Sequence, residues 1–342
     1  MSILLKNIRI IDSVADRNTN ILIQNRCFYE VPTINNPRGE SKIIEGMGLS
    51  LMPSLIDMHC HLRDPGYTYK EDLKSGQLAA LSGGFTTVCC MANTLPVCDN
   101  VNTISYIKNK AKSLDMCEVK QVSAVTKGLI SQQMVNFEEM IKHTSLFSND
   151  GQPITDEKTM VKALKASAKY HFKLLTHCEP ETEMIERDLK LLEIHGGDLH
   201  ICHVSKKESV ELIRNAKQRG LKLTCEVTPH HLYDFGLDYI VHPPFREKKD
   251  RDALLDALLD GTIDIIATDH APHSREDKLK GARGLTGFDH AFSLVYSIFK
   301  EKRINIKLLS KLMSDTPSKL LNIPNVRFDK NSNANFILVN LD

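Results

Sequence analysis

The sequence predicts an α/β protein: a (β/α)8 TIM-type barrel with a small β-rich subdomain formed by both termini. First, apolar, β-branched segments alternate with longer amphipathic ones from Pro53 onward, as in parallel βαβ units. Second, eight such segments succeed one another within about 260 residues, the size of a barrel. Third, strand-like segments also lie at both ends of the chain. We therefore predict a subdomain of residues 1–52 with 314–342 and a barrel of residues 53–313.

The predicted subdomain contains short strand-like segments separated by polar stretches. They are residues 3–11, 20–24 and 41–45. The final apolar segment, 335–340, has the same character, and we expect it to pair with these N-terminal strands.

The barrel region alternates strands and helices in a regular order. The predicted strands are residues 55–60, 85–91, 117–124, 144–148, 172–177, 199–204, 221–226 and 263–268. The predicted helices between them include residues 69–82, 102–113, 156–169, 206–219 and 250–259. In such a barrel the reactive groups lie where the strands end, on the C-terminal face.

The amino-acid composition limits the kinds of molecule that this protein is expected to bind. Of the 342 residues, 42% are hydrophobic and 25% charged, as in a globular protein, and the net charge of +1 gives no reason to expect nucleic acid or an anionic membrane. Nine cysteines without a CxxC pair indicate neither a disulfide framework nor a zinc knuckle. With no signal sequence and no bilayer-spanning run, we expect a cytoplasmic protein that acts on a small molecule.

The segment around His59 and His61 carries the strongest chemical signal. These two imidazoles follow the apolar residues Leu55 and Ile56, and Pro65 ends the segment. Because side chains alternate along a strand, both histidines point the same way, as a pair of metal ligands would. Two histidines on a half-buried strand, without metal, are the alternative.

Four further candidate ligands favour the metal site. Asp150 follows the fourth predicted strand, His177 and His203 end the fifth and sixth, and Asp269 follows the eighth. Imidazoles together with carboxylates suit zinc, and a carboxylate can bridge two ions. The residues therefore predict a hydrolytic centre with one or two Zn²⁺ ions.

The motifs around these residues resemble those of the dihydroorotases of the amidohydrolase superfamily, over nearly the whole chain. They are His-Leu-Arg-x-Pro-Gly (61–66), Gly-Gly-Phe-Thr-Thr-Val (83–88), Met-x-Asn-Thr-x-Pro (91–96), His-Cys-Glu (177–179), His-Val-Ser (203–205), Thr-Pro-His-His-Leu (228–232) and Thr-Asp-His-Ala-Pro-His (268–273). The resemblance implies a zinc-dependent cyclic amide hydrolase that interconverts N-carbamoyl-L-aspartate and dihydroorotate in pyrimidine biosynthesis.

The resemblance also implies a role for each ligand. His59, His61 and Asp269 would hold the more buried zinc, and His177 and His203 the more exposed one. Many relatives bridge the metals with a carbamylated lysine, but a subgroup is similar to this chain in using an aspartate, here Asp150 in the turn Ser-Asn-Asp-Gly (148–151). Lys142 is the nearby lysine that could offer a carbamate instead; it precedes the fourth strand and is the poorer candidate.

Catalytic and substrate-binding residues follow from the same resemblance. Asp269 would move the proton from the attacking water to the departing amide nitrogen. Arg63 would hold the substrate carboxylate through paired hydrogen bonds, with Asn93 and His273 completing the site. Residues 273–284, rich in charge and glycine, are predicted to form a mobile loop above it.

The chain also departs from the family. His242 occupies the place where relatives often have an asparagine before Pro-Pro-Leu-Arg. Two alternatives to the dihydroorotase hypothesis therefore stay open: another cyclic amidohydrolase, similar to hydantoinases or allantoinases, and a non-catalytic subunit that supports aspartate transcarbamoylase. As partners, a homodimer and an association with aspartate transcarbamoylase are also considered, since some relatives associate with that enzyme.

Overall fold

The computed structural model describes residues 2–31, 41–130, 133–324, 327–328 and 333–342, with Ser41 described by its backbone alone. The chain divides into two compact units. One comprises Met1–Ile56, Gly84–Thr86 and Tyr296–Asp342, and the other comprises Asp57–Gly83 and Thr87–Val295.

The first unit contains a six-stranded sheet. Its strands are β1 (Ser2–Ile11), β2 (Asp16–Gln24), β3 (Cys27–Glu30), β4 (Ser41–Glu45), β5 (Leu49–Pro53) and, at the end of the chain, β14 (Phe336–Asn340). They are arranged in the order β14-β5-β1-β2-β3, with β4 paired to β1. The sheet covers a core of Leu5, Ile8, Ile10, Ile21, Phe28, Leu51 and Phe328.

The last strand pairs with an N-terminal one, as predicted. β14 runs antiparallel to β5, with Leu338 opposite Leu51. Strands β3 and β5 were not predicted. β3 follows β2 through a two-residue turn in which Asn25 and Arg26 have φ of 53° and 62°, the left-handed conformation typical of a tight hairpin.

Eight parallel strands form the predicted barrel. They are β6 (Leu55–Cys60), β7 (Phe85–Cys90), β8 (Glu118–Gln121), β9 (Leu146–Ser148), β10 (Lys173–Thr176), β11 (Leu199–Ile201), β12 (Leu223–Val227) and β13 (Ile265–Ile266). β6, β7 and β8 form one sheet, and β9 to β13 form another. Parallel bridges between Ser123 and Phe147 and between Cys60 and His270 join the two sheets at both seams.

The barrel strands are shorter than the apolar segments that predicted them. The eighth, for example, pairs over two residues instead of six. Burial continues beyond the paired residues, since His177, Val204 and Thr268 are buried just past their strands. The apolar pattern of the sequence indicates which residues are buried. Backbone pairing between strands, in contrast, ends where the chain turns away from the neighbouring strand.

Twelve α-helices are assigned in the described residues. They are α1 (Leu73–Ser82), α2 (Val101–Leu114), α3 (Phe137–Met140), α4 (Glu157–Tyr170), α5 (Glu181–His195), α6 (Lys207–Gln218), α7 (Pro229–Tyr233), α8 (Lys248–Leu259), α9 (Arg275–Leu279), α10 (Phe288–Lys302), α11 (Ile306–Ser310) and α12 (Thr316–Leu320), with a π-helical turn at Lys311–Asp315. Asp72, Asn100 and Asp156 cap α1, α2 and α4 by accepting a hydrogen bond from a backbone N–H of the first turn. None of the helices described combines the length and apolar character needed to cross a bilayer.

Two long helices, α5 and α10, were not predicted. In α5, Met184, Ile185, Leu189 and Leu192 are buried at helical spacing, so the signal was present in the sequence.

An aromatic cluster supports two of the strands that lead to the site. Phe147 of β9 has its ring 5.3 Å from that of Phe137 and 4.3 Å from that of Phe172, measured between centroids. All three rings are buried. Such close aromatic contacts hold β9 and β10 in place immediately before the residues that face the site.

Candidate metal centre

The two histidines of the first barrel strand face one point. His59 lies on β6, and His61 follows it with its backbone N–H bonded to His270 O at 2.8 Å, which continues the seam between the first and last strands. His59 is fully buried and His61 is 5% exposed. Their ring centroids are 5.4 Å apart, as the alternation of strand side chains predicts.

Asp150 is held by the turn that follows β9. Its neighbour Asn149 accepts hydrogen bonds from the backbone N–H groups of Val125 and Thr126, and its amide donates to Thr126 Oγ1 and Leu129 O. An aspartate at position 149 would lack the donors for the last two. The Asn149 side chain therefore serves the turn, and Asp150 is the carboxylate that the turn presents to the site.

Asp150 lies within reach of all four predicted histidine ligands. Its Oδ1 is 3.3 Å from His59 Nε2, 3.5 Å from His177 Nδ1 and 3.8 Å from His203 Nε2, and its Oδ2 is 3.4 Å from His61 Nε2. Two groups of potential ligand atoms result, one of His59 and His61 with Asp150 and one of His177 and His203 with Asp150. Asp150 belongs to both, which is the arrangement that a bridging carboxylate requires.

Asp269 approaches from the last strand in a left-handed conformation, with φ of 49°. Its Oδ1 is 3.2 Å from His61 Nε2 and 3.6 Å from His59 Nε2. The preceding Thr268 is tied to Asp57, whose carboxylate accepts hydrogen bonds from its backbone N–H and its hydroxyl, both at 2.7 Å. Burial raises the pKa of Asp57 to about 7 although these bonds lower it.

The separations fit a metal ion. Two ligand atoms that each lie about 2.0–2.1 Å from a tetrahedral zinc ion are about 3.3 Å apart. The contacts among these six residues lie between 2.9 and 3.8 Å, the shortest being His177 Nδ1 to His203 Nε2. In the described part of the chain, His59 Nε2 and Asp150 Oδ1 are fully buried and have no hydrogen-bond partner. Buried polar atoms are rarely left so, and a shared cation would satisfy both.

The local charge also favours a cation. Burial by itself lowers the pKa of His59, but the charges of Glu226 and Asp150 raise it well above its ordinary value. Burial raises the pKa of Asp150 and Asp269, yet the charge of His59 and contacts with the other histidines hold both well below the usual range. Negative charge concentrated in a buried site stabilises positive charge at its centre.

The hydrogen bonds of the histidine pair select the nitrogen that faces the centre. His61 Nδ1 donates to Asn93 Oδ1 at 2.9 Å, so Nε2 is left to face Asp150 and Asp269. His59 Nδ1 donates to Glu226 Oε1 at 2.5 Å, with the same result. Ligand histidines in metalloproteins are commonly oriented by an oxygen acceptor in this way.

Sequence reasoning did not find Glu226. It lies on β12, fully buried, between His59 and His200. Burial raises the pKa of Glu226, but the charge of His59 and the hydrogen bonds from both histidines lower it to about 2. A charged residue inside an otherwise apolar strand was the available signal. A third group of potential ligand atoms joins Glu226 with His59 and Cys202, but its His59–Glu226 contact is a hydrogen bond.

A cleft of about 310 Å³ opens at this centre. Besides the candidate ligands, it is lined by Arg63, Asn93, His242, His273 and Arg283. The three predicted substrate-binding residues thus share one cavity with five of the six predicted ligands.

Arg63 reaches the cleft from beyond the end of β6. Pairing of β6 ends at Cys60, and Arg63 has φ of 57°, so the strand does not continue to it. Its Nε donates to Pro272 O at 3.2 Å, and its terminal nitrogen lies 3.3 Å from His273 Nε2. Burial lowers the pKa of Arg63, while the charge of Asp269 raises it.

His273 is oriented by a residue that the sequence did not reveal. Lys70 Nζ donates to His273 Nδ1 at 3.2 Å, and His273 Nε2 donates to Arg283 O at 2.8 Å. Burial, followed by the charges of Arg63 and Lys70, lowers the pKa of His273 to about 4. In the neutral His273 ring, both nitrogens are therefore engaged by the protein, Nδ1 by Lys70 and Nε2–H by Arg283 O. The segment 273–284, expected to be loop throughout, contains the short helix α9, which Ser274 caps.

His242 closes another side of the cleft. Its ring stacks on that of His177, with centroids 4.9 Å apart. Its Nδ1 accepts from Arg283 at 3.1 Å, and its Nε2 lies 3.2 Å from Glu179. Burial, followed by the charge of His177, lowers the pKa of His242 to about 4.

Three other residues, His231, Cys60 and Lys142, lie outside the groups of potential ligand atoms. His231 bonds Thr228 Oγ1 and Pro243 O, a packing role. Cys60 donates to Cys89 O. Lys142 is an exposed turn residue ahead of β9.

Comparison with known proteins identifies the family. A protein-family sequence model described as "Amidohydrolase family" matches residues 50–342. A curated dihydroorotase of Clostridium botulinum is 36% identical over 361 residues, covering 100% of this chain and 90% of that protein. A curated dihydroorotase of Clostridioides difficile is 34% identical over 381 residues, covering 99% of this chain and 90% of that protein.

Solved structures support the fold. A dihydropyrimidinase from Brevibacillus agri matches with a TM-score of 0.84 at 18% identity, covering 99% of this chain and 86% of that one. An L-hydantoinase from Arthrobacter aurescens matches with a TM-score of 0.83 at 20% identity, covering 94% of this chain and 82% of that one. At this identity the match concerns the barrel and its β-rich terminal region. The family model and the curated relatives place the chain in the amidohydrolase family and, within that family, among the dihydroorotases.

Proposed function

We propose that this protein is a zinc-dependent dihydroorotase that interconverts N-carbamoyl-L-aspartate and (S)-dihydroorotate in pyrimidine biosynthesis. The observation that carries the proposal is that four imidazoles gather around Asp150, with Asp269 against two of them, at a cleft that Arg63 also lines. Imidazole and carboxylate together suit zinc. The guanidinium suits a substrate that carries a carboxylate.

We assign the ligands by their separations. His59, His61 and Asp269 would hold one ion, His177 and His203 a second, and Asp150 would bridge them. When bound, such ions lower the pKa of a shared water from near 16 to roughly neutral and polarise a carbonyl oxygen.

Asp269 is the proposed acid–base residue. Its carboxylate accepts the proton of the attacking water and delivers it to the amide nitrogen that leaves as the ring opens. Its low pKa keeps it ionised, so the carboxylate carries no proton before the water attacks. The left-handed backbone and the Thr268–Asp57 hydrogen bonds hold it against the histidine pair.

Arg63, Asn93 and His273 are the proposed substrate-binding residues. Arg63 supplies the charge, and His273 lines the cleft beside it, with its ring 3.3 Å from the guanidinium. Asn93 keeps His61 in place with its oxygen and turns its amide toward Asp150, at 3.5 Å, so it connects the carboxylate site with the metal centre.

Arg63→Met is expected to raise KM for both substrates by about 10- to 100-fold, because hydrogen bonds to charged groups contribute about 1.5–3 kcal/mol. Metal content should not change, since Arg63 contacts Pro272 and His273 rather than the candidate ligands. Steady-state kinetics and metal analysis test this, with the surface variant Arg214→Met as a control. An unchanged KM would contradict the assignment of Arg63.

The proposed activity is tested by assaying the purified protein in both directions. We expect turnover of carbamoyl aspartate and dihydroorotate, with bound zinc, and little turnover of hydantoin or allantoin, which lack the carboxylate that Arg63 would bind. Faster turnover of those compounds would favour the other cyclic amidohydrolases. Zinc-loaded but inactive protein that regains no activity with aspartate transcarbamoylase would favour a non-catalytic subunit.

The remaining proposals concern the domain boundaries, the cellular location and the association with other subunits. We propose that residues 53–313 carry the catalytic barrel and that 1–52 with 314–342 form the β subdomain. We further propose that the protein works in the cytoplasm, as a homodimer or in association with aspartate transcarbamoylase. Sedimentation of the protein alone and mixed with that enzyme tests the last proposal.

A further inference from the structure

A polar network crosses the barrel interior away from the cleft. Glu226 is fully buried, and three nitrogen atoms face its carboxylate. They are His59 Nδ1 at 2.5 Å, His200 Nε2 at 3.0 Å and the backbone N–H of His203 at 3.4 Å. His200, also fully buried, continues the network through its Nδ1 to Thr224 Oγ1 at 2.8 Å.

The donors and acceptors of this network have one consistent direction. A carboxylate only accepts, so His59 and His200 each donate to Glu226. With its proton on Nε2, His200 accepts at Nδ1 from the hydroxyl of Thr224. In the neutral ring that a metal requires, with the proton on Nδ1, His59 has a lone pair on Nε2, the atom that lies 3.3 Å from Asp150 and has no hydrogen-bond partner in the described chain.

We propose that Glu226 is a positioning residue for the metal centre: it fixes the tautomer and the ring orientation of His59, while His200 holds Glu226 in place. This inference rests on the proposed function and deepens it. Because Glu226 has no exposed surface, it acts through His59 and not on the substrate. Residues that orient metal ligands in this way commonly affect metal affinity as well as activity.

A glutamine at position 226 keeps the shape of the glutamate side chain. It does not fix which ring nitrogen of His59 carries the proton. The two histidines bond different oxygens of Glu226, and glutamine has one oxygen and one NH2 group in their place, so in this geometry it accepts from only one of them. If the amide oxygen faces His200, the amide group donates to His59 Nδ1, and the proton of His59 moves to Nε2, where it blocks a metal. If the oxygen faces His59, the ring is correctly oriented but no longer faces a charge.

The test is zinc affinity, measured by competition with a chromophoric chelator on full-length protein. We expect Glu226→Gln to bind the ion at the His59 site about 10- to 100-fold more weakly, while the thermal unfolding midpoint of the metal-free protein stays near that of the wild type. Glu181→Gln is the matched control. Glu181 is also a buried, hydrogen-bonded carboxylate, but it bonds Ser205 and Lys206 and no candidate ligand.

Zinc affinity of Glu226→Gln within threefold of the wild type overturns the proposal, as does an equal loss in Glu181→Gln. If metal-free Glu226→Gln does not unfold cooperatively, the zinc affinities of His200→Gln and His200→Leu test the proposal instead. A glutamine at position 200 can still donate a hydrogen bond to Glu226, whereas a leucine cannot. Only the leucine variant should therefore lose zinc affinity. Equal zinc affinities of the two variants overturn the proposal. Wild-type protein that binds no zinc would instead refute the proposed metal centre, and this inference with it.

Discussion

Asp269→Ala is expected to lower kcat by about 10²- to 10⁴-fold, the range that general acid–base catalysis contributes. The carboxylate lies 3.2 Å from His61 Nε2 and 3.6 Å from His59 Nε2, so its loss removes the proton carrier and one candidate ligand together. The fold should survive, because Thr268 and Asp57 hold the segment through bonds that do not involve the Asp269 side chain.

Asp269→Asn separates the two roles. The amide keeps an oxygen near the histidine pair but cannot take up a proton, so zinc should be retained better than in the alanine variant while turnover stays low. Steady-state assays in both directions, metal analysis and thermal unfolding are the measurements, and Asp256→Ala on the exposed face of α8 is the control. Near-normal kcat in Asp269→Asn would refute the proton-transfer role.

Asp150→Ala is expected to have the second large effect, a loss of zinc affinity of at least about 100-fold, the upper end of what residues that merely orient ligands cost. Activity should fall with it. Asp150 lies within 3.8 Å of a ring nitrogen of all four candidate histidines, whereas in the described residues the ion-pair contacts of Asp269 are with His59 and His61. Its removal therefore weakens both groups of ligand atoms, and a metal titration should detect loss at both.

Lys142→Ala is the matched comparison. If a carbamylated lysine bridged the ions, this variant would lose zinc and Asp150→Ala would keep it. The exposed position of Lys142 before β9 predicts the opposite. Normal zinc content in Asp150→Ala would remove Asp150 from the bridging position.

The barrel could be predicted because its signals are local. Each strand is an apolar segment bounded by turns, and eight in succession leave few alternatives to a closed parallel barrel. The terminal strand β14 was likewise predicted to pair with the N-terminal strands, and it does so with β5. The exact strand lengths were not predictable, because burial continues past the last paired residue, as at His177 and Thr268.

The position of Arg63 shows the limit of strand periodicity. Had β6 continued, Arg63 would face the same side as His59 and His61, but the chain leaves the strand at Cys60 and turns through a left-handed residue. Arg63 still lines the cleft, because its side chain is tied to Pro272 and His273 across the opening.

By itself, the sequence determined the chemical types at the site. Residues at the ends of parallel strands meet on one face, so the histidines and aspartates found there could be grouped without coordinates. Only the tertiary structure decided how they are oriented: Glu226 against His59, Asn93 against His61 and Lys70 against His273. Glu226 and His59 are 167 residues apart, and such a contact leaves no periodic trace in the chain because it depends on which strands become neighbours when the barrel closes.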